Sequence, residues 1–96
     1  MRTILLGDIT AAVRALLSVP QTSRSGLLTA MIKQADAAHD YHKRFRKPHP
    51  FWGNGSLMAR ANTEPQAAER FASDVDYLSV LQMVIAAIIV RKTDAQ

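Results

Sequence analysis

The chain has 96 residues, of which 48% are apolar and 21% charged, a balance that predicts one folded domain over residues 1–96 rather than disorder. It has no cysteine, which excludes disulfides and thiol chemistry and fits a cytoplasmic protein. The net charge of +4 favours anionic partners over cationic ones, and part of the excess is local, in the acid-free run HKRFRKPH at 42–49.

The N-terminal apolar run is broken by Gly7 and Asp8 before it reaches the length of a signal-peptide core. The first predicted helix starts there, with Asp8 as N-cap. Ile9, Ala12, Val13, Leu16 and Leu17 then recur at helical spacing. Pro20 stops it. QTSRSG (21–26) reads as a polar connection, with Thr22 or Ser23 capping a second helix over about 24–46. Leu28, Met31, Ile32 and Ala35 share one face of that helix. The pattern extends through Ala38 or His39 to His42 and Phe45. Pro48 and Pro50 forbid continuation.

The stretch KPHPFWGNGSLM (47–58) is a helix-to-helix elbow with two readings. As structure, Gly53 and Gly55 allow positive φ, the prolines stiffen the approach, and Phe51 and Trp52 plug the gap between helices. As a site, the backbone around Gly53, Asn54, Gly55 and Ser56 enters a helix N-terminus and would hold an anion beside Arg44, Arg46 or Lys47. The two aromatic rings would then stack on a base. Ser56 caps a short helix over 57–61. Residues 62–70 read as a loop or a brief helical turn from Pro65.

A last helix starts at Ser73 or Asp74, with acids at its positive end and Arg91 and Lys92 at its negative end. Between Tyr77 and Val90 only Ser79 and Gln82 are polar. Its β-branched residues raise a strand alternative, but length, caps and the lack of any strand partner favour helix. The segment is shorter than the roughly 20 apolar residues of a membrane span. A helix so apolar requires cover on nearly every side. Two amphipathic helices and one short one leave part of that cover to a second copy, so a homodimer is expected.

No catalytic constellation emerges. His39 and His42 lie one turn apart, but His49 falls beyond a proline and no His-Glu-x-x-His pattern is present. Ser56 lacks the Gly-x-Ser-x-Gly elbow of a serine nucleophile, and no phosphate-binding or dinucleotide motif occurs. The chain therefore reads as neither an enzyme nor a cofactor or metal binder.

LLGDITAAVRALLSVP, HPFWGNGSLMARA and DVDYLSVLQMVIAAII resemble, in order and spacing, a small family of uncharacterised alphaproteobacterial proteins classed as a domain of unknown function. The sharpest piece is His49 to Met58. The resemblance implies a helical cytosolic protein and brings no activity, cofactor or catalytic residue.

The expected fold is all-α, a compact helical bundle of three main helices plus one short one. The expected function is a non-catalytic intracellular interaction module, with a protein partner at Lys43, Arg44, Arg46, Lys47, His49, Trp52, Asn54, Ser56 and Arg60. The alternative is nucleic-acid binding, the cations meeting phosphates and Trp52 or Phe51 stacking.

Overall fold

A computed structural model describes residues 1–68 and 73–94. The described residues form four helices in order: α1 (Leu6–Leu17), α2 (Gln21–Phe45), α3 (Leu57–Ala61) and α4 (Val75–Asp94). Among the described residues there is no strand, and an isolated bridge between His49 and Gly53 is the one β-type contact. The all-α expectation holds, and the 13.1 Å radius of gyration matches a compact chain of this length. The loop expected over 62–70 is seen through Ala68, its last two residues lying outside the described part.

The hub is α1, which packs on all three other helices, while α2 also packs on α3. Its sequence explains this. Ala11, Ala12 and Ala15 are buried beside Val13, Leu16 and Leu17, so small side chains let neighbours approach from several directions. Leu28 and Met31 of α2, Leu57 and Ala61 of α3, and Tyr77, Val80 and Val84 of α4 complete the core. Full burial of each large side chain contributes roughly 1.5–3 kcal/mol.

The shortage of cover expected for the C-terminal helix is seen within the single chain. In the single chain α4 is peripheral. Leu78, Ile85, Ile89 and Val90 on its outer side are exposed, Ile89 and Val90 by 58% each. The cover its composition calls for is not supplied by α1, α2 or α3.

Two helix starts also differ from expectation. Asp8 is not the N-cap of α1. The helix begins a turn earlier, and the Asp8 carboxylate reaches back to accept the Leu5 N–H at 2.8 Å. Nor does Thr22 or Ser23 cap α2. That helix starts at Gln21 with Pro20 in the cap position, where a missing N–H costs nothing. The polar stretch 21–26 is thus helix, and the link to α1 is only three residues long. Arg24, expected in a loop, lies buried at this joint. Its Nε donates to the Leu16 carbonyl at 3.0 Å, and its guanidinium meets Asp76 at 3.0 Å.

After α3 the chain as far as Ala67 lies along α1. Arg14 and Ala67 exchange two bonds, the Ala67 N–H to the Arg14 carbonyl at 3.0 Å and Arg14 Nε to the Ala67 carbonyl at 2.8 Å. Asp74 caps α4, its carboxylate accepting from the N–H groups of Asp76 and Tyr77.

Candidate interaction surface

α2 ends because Arg46 turns left-handed, with φ of 59°, while its N–H still bonds the His42 carbonyl. The chain then closes a tight loop. The His49 N–H donates to the Gly53 carbonyl at 2.8 Å and the Gly53 N–H returns to the His49 carbonyl at 3.2 Å. Inside that loop His49 Nδ1 accepts from the N–H groups of Phe51 and Trp52, at 3.1 and 3.2 Å. An accepting Nδ1 leaves the ring proton on Nε2. The imidazole is therefore fixed in plane by its own loop.

Rings collect around it. Trp52 stacks on His49 with centroids 4.5 Å apart and planes within 6°. Tyr41 meets His49 edge-on at 5.0 Å and lies tilted against Phe45 at 4.6 Å. Phe51 lies 5.9 Å from His49. The Arg44 guanidinium sits over the Phe45 ring at 5.4 Å, a cation–π distance. Phe51 is 74% exposed and Phe45 50%, and Arg44, Arg46 and Lys47 are exposed around them. The result is one continuous aromatic and cationic tip.

The sequence-predicted residues divide. Arg44, His49 and Trp52 belong to the tip, with Arg46 and Lys47 on its exposed rim. Trp52 is half-buried rather than a core plug, and Phe51 points to water. Lys43 faces elsewhere. It lines a polar cleft of about 490 Å³ with Met1, Asp36, His39, Asp40 and Arg91. Asn54 and Ser56 serve the backbone. The Asn54 side-chain oxygen accepts from the Ser56 N–H at 3.1 Å, and Ser56 Oγ accepts from the Ala59 N–H at 3.0 Å as the expected cap. Arg60 is a correction. It is buried, held by Gln34, Thr63 and Glu64, and cannot present its charge to a partner.

The anion site expected around 53–56 is also corrected. Its place is taken by an internal carboxylate, because Asp8 Oδ1 accepts the Met58 N–H at 2.8 Å. Asp8 is itself buried and its other oxygen holds Leu5, so the α3 start is neutralised from within. Tyr41 and Phe45 are members of the tip that the sequence does not single out. Their signal is the i,i+4 spacing of two aromatic residues just before a helix stop.

In the polar cleft, burial pushes the Asp36 carboxyl up. Hydrogen bonds from Arg91 and from the N-terminal ammonium outweigh that and hold it below its ordinary value. His39 is pushed below the ordinary imidazole value by desolvation first, then by the N-terminal ammonium, Lys43 and Arg2. Among the described residues no three histidines or carboxylates converge as a metal site would require.

A family model for a domain of unknown function, DUF7742, matches residues 2–88. The chain belongs to the DUF7742 family. No curated protein and no solved structure matches it. In this DUF7742 domain the match runs from the N-terminal segment through most of α4, so hub, elbow and tip all lie inside it. Among its described residues no helix is long and apolar enough to cross a membrane.

Proposed function

We propose that this DUF7742 domain is a non-catalytic interaction module of the bacterial cytoplasm that docks an acidic segment of a protein partner on its aromatic, cationic tip. The observation that supports it is the exposure of Phe45, at the end of α2, and of Phe51, on the loop locked by His49, beside Arg44, Arg46 and Lys47. Aromatic and arginine side chains carry much of the energy of protein interfaces, and a loop backbone fixed before binding loses little freedom on contact. The cysteine-free sequence fits a reducing compartment. The second-copy reading belongs here too. The uncovered side of α4 supports a homodimer, which leaves the tip free.

Nucleic-acid binding is the second reading, favoured by Phe51, an exposed ring with cations around it. Trp52 is the sole tryptophan, so its fluorescence reports on the tip directly. A polyglutamate peptide carrying aromatic residues is expected to shift that emission. The shift should weaken in Arg44→Ala with Arg46→Ala, with no change from a single-stranded oligonucleotide. A response to the oligonucleotide alone, falling steeply with salt, reverses the order of the two readings. Silence toward both removes the tip as a docking surface.

A further inference from the structure

Residues 1–5 form no helix and lie as a strap against α2 and the elbow. The Met1 ammonium meets Asp36 at 2.6 Å, and the Arg2 N–H donates to the Gly55 carbonyl at 2.8 Å. On the exposed side the Arg2 guanidinium approaches His42 Nε2 at 3.4 Å. Met1 also packs on the edge of the core. His39 shares the polar cleft with Met1. Its Nδ1 is buried and has no hydrogen-bond partner, the one such side-chain nitrogen or oxygen among the described residues. A neutral imidazole tolerates this with Nδ1 bare, but an imidazolium carries an N–H on both ring nitrogens. Under the closed strap the added N–H would be buried and unpaired, which costs its full desolvation.

Charge acts in the same direction. Around His39 the strap contributes the Met1 ammonium and Arg2, α2 contributes Asp36, Asp40, His42 and Lys43, and α4 contributes Arg91. Asp36 is already engaged by the ammonium and Arg91, so Asp40 is the carboxylate left to favour a charged ring. Against it stand the ammonium, Lys43 and Arg2, and two of these three belong to the strap. We propose that the strap is an acid-released latch, in which a proton on His39 frees residues 1–5 from α2 and opens the cleft. Release lets water reach Nδ1 and carries two of the opposing cations away. The released state therefore binds the proton more tightly than the closed one, and acid shifts the population toward it. In the closed state His39 lies below the ordinary imidazole value of 6.5, first through desolvation and then through these cations, so the shift sets in as pH falls through that value. One proton per release sets its steepness at up to about tenfold in the open-to-closed ratio per pH unit.

The methyl signals of the four methionines report on the latch by nuclear magnetic resonance. With isotope-labelled methionine methyls, the Met1 signal is expected to move toward its position in the unfolded chain between about pH 7.5 and about pH 5. The Met31 signal should stay in place, because that side chain is fully buried in the core, and helical circular dichroism should not change. His39→Gln replaces the ring with an uncharged side chain and is expected to abolish the movement. His42→Gln, which removes the other ring near Arg2, should leave it. A Met1 signal that stays put in the wild type overturns the latch. So does movement that survives His39→Gln, movement lost in His42→Gln, or a Met31 signal that shifts in step with Met1, which marks global unfolding.

Discussion

Gly55 shows how tightly single residues hold the elbow. Its φ is +98°, and a Cβ there would stand 2.6 Å from the His39 Cα, a backbone atom that cannot swing aside. Gly55→Ala therefore combines a left-handed penalty of about 1–2 kcal/mol with a collision against α2. We expect a loss of about 3 kcal/mol or more, read as a lower urea midpoint at unchanged slope. His49 is the other fixed point, since it spends its Nδ1 on two backbone N–H groups and its ring face on Trp52. The backbone of the tip is thus held by hydrogen bonds internal to one short loop, which presents the Phe51 ring to solvent.

At the scale of elements, Arg24 joins three helices. From the first turn of α2 it satisfies a carbonyl at the end of α1 and a carboxylate at the start of α4. Arg24→Ala is expected to cost about 2–3 kcal/mol, because the bonds from a charged donor to the Leu16 carbonyl and the Asp76 carboxylate are both lost. Arg24→Lys should recover only part, since one ammonium does not span both acceptors as the guanidinium does. Thermal melts of the two variants check this. Much of this level was legible in the sequence. The residues of α3, the Ser56 cap and the helical nature of 75–94 all follow from local spacing and capping chemistry. What was not legible is long-range. The Asp8 carboxylate reads as a local cap and serves Met58 fifty residues away, and Arg60 reads as a surface cation because its partner Gln34 is on another helix. The role of hub fell to α1 because alanines permit close approach on several sides, a property that apolar content alone hides.

For the whole molecule, the polar cleft at the N-terminus ties stability to pH in two steps. His39 has a pKa below its ordinary 6.5 in the folded chain, so the unfolded chain takes up that proton first as pH falls. Stability from this source is complete above about pH 7 and drains as pH falls through the ordinary imidazole range. Asp36 sits below its ordinary 3.8, so its contribution is complete above about pH 5 and is lost as pH falls through and below that value. Melting temperature followed from pH 8 to about pH 3 is expected to drop in both windows. His39→Gln should flatten the first window and Asp36→Asn the second. Asp8 adds a constraint of another kind. One carboxylate closes the first turn of α1 with one oxygen and the first turn of α3 with the other. Fraying at either end takes one of two donors from a buried carboxylate, so Asp8→Ala is expected to speed hydrogen exchange at both the Leu5 and the Met58 amide. The elbow that carries the tip is thereby latched to the opening residues of the chain.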